Sequence, residues 1–437
     1  MSIQWPDERS ESKKLYDRAE KVMPGGITRV IPWVKPFPVY AQRGEGAYVY
    51  DADGTRRLDL LNNFASLLHG HAHPKVVEAV RHQVGLGTAF TLPTEAEVVL
   101  AETICERAKS FEWVRFSNSG TEAVMAAIKA ARALTGRPKI VKIEGAYHGA
   151  YDYAEVSLDS PPEGWGNEPA SIGYSRGAPA GMTQDVIVIP FNDVETAERI
   201  IRRNRESIAG ILIEAAPSNL GFPPVSKPFA DMVERVSKEI GAVFILDEVI
   251  TFRVHRGGLQ SLMGITPDIT VLAKIIGGGF PVGAVAGRRE VMSVFDHRNG
   301  KPPLPWSGTF TANPVTMTAG KVTLDMYGEE DVQRLDRLTQ RLVDGVRAAI
   351  ERNGFPGQIS SLSSCFMFFG HGRTVTDYRS GYQSVEERAL VERLQAAMIR
   401  EGYLIARNGK GFLSTVMVEE DIDGFVDAFD RIASRGV

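Results

Sequence analysis

One lysine, Lys274, stands where an amine could do chemistry instead of lying in solvent. It follows the β-branched run Ile269-Thr-Val-Leu-Ala273, and a glycine cluster begins shortly after it at Gly277. Such a run predicts a buried strand, and glycines let the backbone come close to a bound molecule. Burial disfavours the charged form of an amine, and a lysine that forms a Schiff base needs that effect.

A carboxylate stands at a similar place earlier in the chain. Asp247 directly follows the apolar residues 243–246, so we expect it at the end of a second buried strand. An unpaired buried carboxylate is costly, and a pyridinium N–H would be a suitable partner because a nearby anion holds the proton on the ring. Asp247 alone could equally cap a neighbouring loop, but together with Lys274 it indicates a pyridoxal phosphate enzyme.

A possible anion site comes between a predicted strand and a predicted long helix, at Asn118-Ser119-Gly120-Thr121. Helix N-termini bind anions through their N–H groups and the positive end of the helix dipole. Gly120 would let the backbone approach a phosphate, and the hydroxyls of Ser119 and Thr121 could donate to it. Simple capping of the helix by Ser or Thr explains the same residues, so both interpretations stay open.

Two further loops carry candidate groups. Tyr147, in Gly145-Ala-Tyr147-His148, follows the next strand and could either stack on a flat ring or pack at the edge of the sheet. Thr309 could supply another phosphate donor. Its loop could also serve only to begin the helix that opens at Asn313-Pro314, and the two interpretations are compatible.

No metal site is expected. His69, His71 and His73 alternate along the chain, but Gly70 and Pro74 suggest a turn and not a set of ligands. The glycine-rich segment after Lys274 does not fit the dinucleotide fingerprint, and no phosphate-binding loop of the Walker type is present.

The bulk composition excludes several classes of partner. The 437 residues are 43% hydrophobic and carry a formal net charge of −4, without the concentrated basic face that nucleic acid or an anionic membrane requires. No apolar run approaches the length that spans a bilayer, and the N-terminus has no apolar leader. With only two cysteines, Cys105 and Cys365, a disulfide framework is not expected. A cytoplasmic location is the expectation.

From about residue 75 the chain alternates helices with short apolar strands. Strands that are apolar throughout are expected to be buried on both faces, and the helices between them imply right-handed crossovers and a mainly parallel α/β sheet. We expect 1–74 to form an N-terminal arm and part of a small α+β domain. We expect 75–324 to form the large cofactor-binding domain and 325–437 the C-terminal part of the small domain, with a strand at 412–418.

One stretch, 157–184, interrupts this alternation and is rich in Gly, Pro and Ser. A loop of that length in a compact domain is usually functional or mobile. A flap over the site, or part of a subunit interface, is as plausible as an inert excursion.

Taken in order, these motifs resemble those of class III aminotransferases, which are fold type I pyridoxal phosphate enzymes. The resemblance covers roughly residues 20–430. It implies a seven-stranded, mainly parallel sheet flanked by helices, a small domain built from both ends of the chain, bound pyridoxal 5'-phosphate and a homodimer.

The resemblance gives catalytic roles to Lys274, Asp247 and Tyr147. Lys274 resembles the lysine that binds the cofactor and moves the proton, Asp247 resembles the partner of the pyridinium nitrogen, and Tyr147 resembles the aromatic residue that stacks on the ring. The other cofactor-binding positions that it implies are Ser119, Gly120, Thr121, His148, Glu214, Asn219, Val249 beneath the ring, and Thr309 from the neighbouring subunit.

Within this family the chain resembles the branch of glutamate-1-semialdehyde aminomutase and the β-amino-acid (β-phenylalanine) aminotransferases. Arg29 matches an arginine that binds a substrate carboxylate in that branch. Near the C-terminus, Arg407 and Lys410 are two cations where the β-amino-acid enzymes have a carboxylate-binding arginine, and either could take that role. Asn63-Phe-Ala-Ser66 replaces a Trp-Gly-Pro-like stretch of the aminomutases, which weakens the aminomutase assignment.

The expected function is therefore transfer of an amino group from a carboxylate-bearing amine or β-amino acid to a keto acid such as 2-oxoglutarate or pyruvate. Ping-pong kinetics through the Lys274 Schiff base should follow. The alternative is an isomerase on the same scaffold, either an aminomutase or an amino-acid epimerase. A cofactor-free binding protein is disfavoured because Lys274 and Asp247 are both present.

Overall fold

The computed structural model describes residues 5–436, which fall into two units. Of the described residues, one unit consists of 5–77, 330–373 and 383–436, and the other consists of 78–329 and 374–382. No helix among residues 5–436 is long and apolar enough to cross a membrane. The domain boundaries expected after residues 74 and 324 stay a prediction.

The secondary structure comprises the following strands and helices. The strands are β1 (Ala41–Glu45), β2 (Tyr48–Asp51), β3 (Arg56–Asp59), β4 (Trp113–Ser117), β5 (Lys139–Ile143), β6 (Val186–Ile189), β7 (Ile208–Glu214), β8 (Val243–Asp247), β9 (Ile269–Ala273), β10 (Gly283–Gly287), β11 (Gln358–Leu362), β12 (Cys365–Phe369), β13 (Tyr403–Leu404) and β14 (Lys410–Phe412). The helices are α1 (Glu11–Ala19), the single turn α2 (Asn62–Ala65), α3 (Pro74–Leu86), α4 (Glu95–Cys105), α5 (Gly120–Thr135), α6 (Asp152–Glu155), α7 (Ala180–Gln184), α8 (Val194–Arg203), α9 (Lys227–Ile240), α10 (Gly258–Met263), α11 (Arg289–Met292), α12 (Pro314–Asp325), α13 (Glu329–Asn353), α14 (Tyr378–Gly381), α15 (Val385–Glu401) and α16 (Glu419–Arg435).

The unit that contains 78–329 is built on a seven-stranded sheet of order β4-β10-β9-β8-β7-β5-β6. Strands β5 to β9 pair in parallel, whereas β10 is antiparallel to both of its neighbours. Strands β6 to β9 are buried along their whole length, as the apolar runs predicted, and β10, which was not predicted from the sequence, is buried as well. The predicted α/β class and the mainly parallel seven-stranded sheet of a fold type I enzyme are confirmed.

The carboxyl ends of four strands meet at one edge of this sheet. Glu214 on β7 lies opposite Asp247 on β8, and Asp247 lies opposite Val271 on β9. Across β10, Gly283 lies opposite both Ala273 and Ser117, so the end of β4 reaches the same edge. Residues that directly follow these strands are therefore gathered along one line.

Helix α5 begins at this edge because of its two caps. The Ser119 side chain accepts a hydrogen bond from the Glu122 amide at 3.1 Å, and Gly136 closes the helix in the left-handed conformation with φ 66°. Five alanines on one helix face are fully buried or nearly so: Ala123, Ala126, Ala127, Ala130 and Ala131. These small side chains let the helix lie close to the sheet, which fixes where its N-terminus points.

The other unit contains two small sheets. One has the order β1-β2-β3-β13 and the other the order β11-β12-β14. The strand predicted at 412–418 is wrong, since only its first residue belongs to a strand, β14. Beyond Phe412 the backbone leaves the sheet. The Arg334 guanidinium donates hydrogen bonds to the carbonyl oxygens of Thr415 and Met417. Leu413 and Met417 are buried there as anchors of a turn and not as one face of a strand, whereas Val418 is 49% exposed.

A buried ion pair ties β2 to β3 in this unit. Arg57 and Asp51 are only 2% and 3% exposed, and the Arg57 guanidinium donates to the Asp51 carboxylate. The second Asp51 oxygen accepts from the amides of Asp53 and Thr55 at 3.0 and 2.7 Å, so the acid is fully used. Removing one partner of such a pair leaves the other charge buried.

We expect Asp51→Ala to lower the free energy of unfolding by about 3–5 kcal/mol, because it leaves the Arg57 charge buried without a carboxylate. Urea denaturation of the two proteins measures the difference. The control is Asp423→Ala, which removes the exposed bidentate partner of Arg341 and should change stability little. Equal losses in the two variants would contradict the importance of the buried pair.

Candidate active site

Lys274 directly follows β9 and begins a short turn with a left-handed backbone. Its φ is +53°, an uncommon value for a residue other than glycine and one that often marks a functional position. The residue is half-buried, whereas the five residues of β9 before it are fully buried. The strand thus brings the lysine to the edge of the sheet without leaving it on the open surface.

Asp247 is buried at the same edge, and each of its carboxylate oxygens has one partner. One carboxylate oxygen accepts from the Val249 amide at 2.9 Å, and the other lies 2.8 Å from His148 Nδ1. Among residues 5–436, Asp247 pairs with no lysine or arginine, and His148 Nε2 has no hydrogen-bond partner. Each carboxylate oxygen has two acceptor sites, so the acid can still accept from a cationic N–H.

The predicted phosphate loop lies against the residues around Lys274 and Asp247. A Cβ at Gly120 would stand 3.3 Å from Val249 Cγ2 and 3.5 Å from Ala273 Cβ. The Thr121 hydroxyl accepts from the Ala150 amide at 3.2 Å, which joins this loop to the one that carries Tyr147. Ser119 does cap α5, as the simpler interpretation holds, and that capping directs the N-terminus of the helix towards the same place.

The loop that carries Tyr147 is fixed through Glu214. The Tyr147 amide donates to one Glu214 oxygen at 3.2 Å, and the Ser218 amide donates to the other at 3.0 Å. The Tyr147 side chain stays 47% exposed, so one face of its ring is accessible to a flat molecule, and partial burial raises the pKa of its hydroxyl. Asn219 lies in the short turn after Ser218. The predicted cofactor contacts of Glu214 and Asn219 stay predictions.

Two contacts that hold this loop were missed from the sequence. Lys142, in the middle of β5 and fully buried, donates to the carbonyl oxygens of Ala146 at 3.1 Å and Val156 at 2.6 Å. Arg379 on α14 pairs with buried Glu144 at 3.0 Å. A cation inside the apolar run Ile-Val-Lys-Ile was the available signal for Lys142. Nothing in the sequence pointed from Glu144 to a residue so far along the chain.

The predicted substrate residues lie in the other unit. The Arg29 guanidinium is exposed and donates to the Asn63 side-chain oxygen at 2.6 Å, with the Phe64 ring 6.0 Å away. Among residues 5–436 it has no carboxylate partner. Arg407, in contrast, is paired with Glu392 at 2.6 Å, and Lys410 is buried in β14. Of the three cations, Arg29 is the one whose charge is available to a bound anion.

The histidines around residue 70 serve the structure. His71 Nε2 lies 2.7 Å from an Asp59 oxygen, and His69 Nδ1 lies 2.7 Å from the Thr415 hydroxyl. Within 5–436, no group of three or more His, Cys, Asp or Glu side chains is placed to hold a metal ion.

Residues 30–405 match the aminotransferase class-III family. This chain belongs to that family. A glutamate-1-semialdehyde 2,1-aminomutase of Aeropyrum pernix is 40% identical over 399 residues, which are 91% of each chain. A solved omega-transaminase from Sphaerobacter thermophilus is 46% identical with a TM-score of 0.94, covering 98% of both chains. A solved β-phenylalanine aminotransferase from Variovorax paradoxus is 32% identical with a TM-score of 0.85, covering 96% of this chain and 93% of that one.

The class III enzyme described here depends on pyridoxal phosphate, and its residues fit that cofactor. Asp247 is a buried acid that still has acceptor sites for a protonated ring nitrogen. Helix α5 directs its N-terminus to the same edge, and the absence of a side chain at Gly120 leaves space beside Val249. The predicted cofactor is confirmed, and the roles of individual residues towards it are proposals.

The buried amine of Lys142 should make the stability of the folded protein depend on pH. Burial lowers the pKa of Lys142 to about 7, against the attraction of Glu214 and Glu144, which raises it. Below pH 7 the folded and unfolded chains both hold the proton, and burial of the charge counts fully against folding. Between pH 7 and the ordinary lysine pKa of 10.5, the unfolded chain binds more protons than the folded one, so the stability of the folded state rises with pH.

We expect Lys142→Met to remove this dependence. The difference in unfolding free energy between the wild type and the variant should move in favour of the wild type from about pH 6 to about pH 9, by at most about 1.4 kcal/mol per pH unit. Denaturant titrations at several pH values measure it. Lys139→Met, on the same strand with a half-buried side chain, is the control. A difference that does not vary with pH would contradict the burial of a titrating amine.

Proposed function

We propose that this protein is an aminotransferase that moves an amino group from a carboxylate-bearing amine or a β-amino acid to a keto acid such as 2-oxoglutarate or pyruvate. The observation that carries the proposal is the exposed guanidinium of Arg29, oriented by a neutral amide beside an aromatic ring. An arginine in that state can bind a carboxylate through charge-assisted hydrogen bonds, and Phe64 offers apolar surface to the rest of the donor.

Pyridoxal phosphate, when bound, supplies an aldehyde that takes up the amino group and a cationic ring that stabilises negative charge at the reacting carbon. In our proposal, Lys274 would hold the cofactor and would move the proton at the donor carbon. Asp247 would keep the ring nitrogen protonated, and His148, 2.8 Å from the acid, would keep that carboxylate in place.

The remaining residues of the sheet edge bind and orient. Tyr147 would cover one face of the ring and Val249 the other, and the N-terminus of α5, with Ser119, Gly120 and Thr121, would bind the phosphate. Glu214 would hold the Tyr147 loop in place through the Tyr147 amide, beside the direct cofactor contact that the family resemblance implies for it. This arrangement lets the protein chain fix the position of the cofactor before a donor arrives.

The relatives support a donor with a carboxylate and an apolar group. This chain is 46% identical to a solved omega-transaminase and 40% identical to a curated aminomutase. The higher identity to the transaminase favours transfer between two substrates. The Variovorax relative, named for β-phenylalanine, suggests a ring next to the amine-bearing carbon. Arg407 could bind a second carboxylate only by giving up Glu392, so we assign the donor carboxylate to Arg29.

An intramolecular aminomutase is the second candidate, because curated relatives with that name cover most of the chain. An aminomutase converts one substrate without an external keto acid, whereas an aminotransferase stops after the first half-reaction unless an acceptor is present. An amino-acid epimerase would behave like the aminomutase in this respect.

We expect the absorption spectrum of the purified holoenzyme to change in a single turnover when β-phenylalanine is added alone, and to return when 2-oxoglutarate or pyruvate follows. Ping-pong kinetics should give parallel lines in double-reciprocal plots. Lys274→Ala is the control, and this variant should lower the turnover rate at least about a thousandfold. Sustained conversion of glutamate-1-semialdehyde without any keto acid would contradict the proposal and favour the aminomutase.

We also propose a homodimer. An exposed apolar surface in the unit that contains 78–329 includes Leu92 (77% exposed) and Phe310 (65% exposed). The Asn313 side chain donates to the Thr88 carbonyl at 2.7 Å and so joins the two loops that carry them. An exposed patch of this kind is typical of a protein interface. A second copy would cover it, and Thr309, next to Phe310 and exposed, would then lie within that interface.

In this proposal Thr309 contributes to the phosphate site of the partner. The same loop also lies near its own Asn118, since a Cβ at Gly308 would be 3.3 Å from Asn118 Nδ2. The two possibilities, a donor in the partner's site or in its own, make opposite predictions for mixed dimers.

Lys274→Ala subunits should be inactive alone, and Thr309→Ala subunits should be weakly active alone when pyridoxal phosphate is limiting. We expect the two to regain up to one wild-type site per dimer when refolded together. If Thr309 acts across the interface, one site of the mixed dimer has both wild-type residues. Activity at limiting pyridoxal phosphate measures the gain, and mixing either variant with itself is the control. If Thr309 acts within its own chain, no site is restored and the mixture stays as inactive as its parts.

A further inference from the structure

The turn α2 (Asn62–Ala65) has a backbone conformation that its residues do not favour. Four consecutive non-glycine residues have positive φ: 46° at Asn62, 47° at Asn63, 56° at Phe64 and 70° at Ala65. The ψ values of Asn63 and Phe64, 51° and 56°, make this a left-handed helical turn. Only glycine, and sometimes asparagine, adopts this conformation readily, and then as single residues. Such strain persists only where the surrounding structure imposes it.

Buried contacts on both sides of the turn impose this conformation. The Asn62 side chain, fully buried, donates to the Phe412 carbonyl at 2.7 Å. One Asp59 oxygen accepts from the amides of Leu61 and Asn62 at 2.8 and 3.1 Å. The backbone closes with a hydrogen bond from the Ala65 amide to the Leu61 carbonyl at 3.1 Å.

The exposed part of the turn holds Arg29. Asn63 Nδ2 donates to the Ser66 hydroxyl at 2.9 Å, so its other side-chain atom, Oδ1, is directed away from Ser66. That oxygen accepts from Arg29 Nη1 at 2.6 Å. The Phe64 ring lies 6.0 Å from the centre of the same guanidinium. The turn therefore places an oriented amide and an aromatic ring on one cation.

A neutral amide can orient the Arg29 guanidinium without neutralising its charge, which a carboxylate in the same place could not do. It fixes the direction of the guanidinium but leaves the positive charge and the remaining N–H donors for a bound anion. Arg407 shows the contrast within the same unit, because its guanidinium is paired with Glu392 at 2.6 Å and 2.8 Å. A turn that served only to connect β3 to the next helix would need neither the strain nor the amide.

We propose that the left-handed turn Asn62–Ala65 determines specificity for carboxylate-bearing donors, with Asn63 as a positioning residue that orients Arg29. This inference rests on the proposed aminotransferase function. It also explains the strained backbone of the turn, because this conformation places both the Asn63 amide and the Phe64 ring beside Arg29. Donors without a carboxylate should not depend on it.

The test compares β-phenylalanine with 1-phenylethylamine, which has a methyl group in place of the carboxymethyl group. The first half-reaction of the holoenzyme is read from the cofactor spectrum without keto acid, and its dependence on donor concentration gives an apparent KM and a limiting rate. The variants are Asn63→Gly, which relieves the strain and removes the amide, Asn63→Ala, which removes only the amide, and Asn63→Asp, which neutralises Arg29.

We expect Asn63→Gly to raise the melting temperature relative to Asn63→Ala, since glycine adopts positive φ without strain. All three variants should raise the apparent KM for β-phenylalanine by about tenfold or more and change the limiting rate less than about twofold. The KM for 1-phenylethylamine should stay within about twofold. A residue with a merely structural role would change both donors alike.

Ser363→Gly is the matched control. Ser363 is another left-handed non-glycine residue of the same unit, with φ 48°, in the turn between β11 and β12. Glycine there should leave both KM values unchanged. Equal effects of the Asn63 variants on the two donors, or no effect on β-phenylalanine, would overturn the inference.

A separate measurement distinguishes failure of this inference from failure of the proposed function. The shift in melting temperature caused by 3-phenylpropionate, compared with its neutral amide, reports carboxylate binding without any turnover. If no donor is converted but the wild type alone binds the carboxylate in preference to the amide, the function is wrong and the role of the turn stands. If the wild type and Asn63→Ala bind the two ligands equally, the role of the turn is wrong whatever the reaction.

Discussion

The site depends on one constraint, which is that Asp247 is a buried acid paired with no lysine or arginine of the described chain, residues 5–436. One of its oxygens accepts from the Val249 amide, and the other lies 2.8 Å from His148 Nδ1. A cationic group in the same space would stabilise such a buried carboxylate. In our proposal the protonated ring of the cofactor would be that group, and cofactor binding would then add to the stability of the fold through this acid.

The neighbouring strands show how the chain keeps other acids from competing for that role. Glu144, after β5, is paired with Arg379, and Glu214, at the end of β7, is occupied by the amides of Tyr147 and Ser218. Because Glu214 and Asp247 are opposite each other in the sheet, they would repel if both faced the same open space. Each acid instead has its own donors: Glu144 has a guanidinium, Glu214 has two backbone amides, and Asp247 has one backbone amide and the His148 ring.

The sequence predicted the parts of this arrangement that depend on local pattern. Apolar runs ending in Asp247 or before Lys274 were visible because strands buried on both faces have no polar alternation. The strand expected at 412–418 was wrong because apolar residues that anchor a turn, with carbonyls bound by Arg334, give the same pattern as a short strand. The pairing of Glu144 with Arg379 was out of reach, since the two are 235 residues apart.

The left-handed turn was also invisible from the sequence, for a different physical reason. Phenylalanine and alanine have no preference for positive φ, so the conformation of Asn62–Ala65 comes from tertiary contacts with Asp59 and Phe412, not from the residues themselves. In the sequence, Asn63-Phe-Ala-Ser66 is visible only as a departure from the aminomutases. The structure gives that departure a physical meaning, because it places an amide on Arg29.

The two activities named among the relatives can share one scaffold for the same reason. In our proposal, the groups on the edge of the seven-stranded sheet would act on the cofactor whether the amino group leaves with a keto acid or returns to the same molecule. The two reactions would then differ in how long the donor stays bound after it gives up its amino group. Arg29 is held by a neutral amide and is exposed, so a carboxylate bound to it as we propose would stay in contact with solvent and could dissociate. An enzyme that retains its intermediate would be better served by a buried, fully enclosed cation, and this contrast is the physical reason for proposing transfer between two substrates.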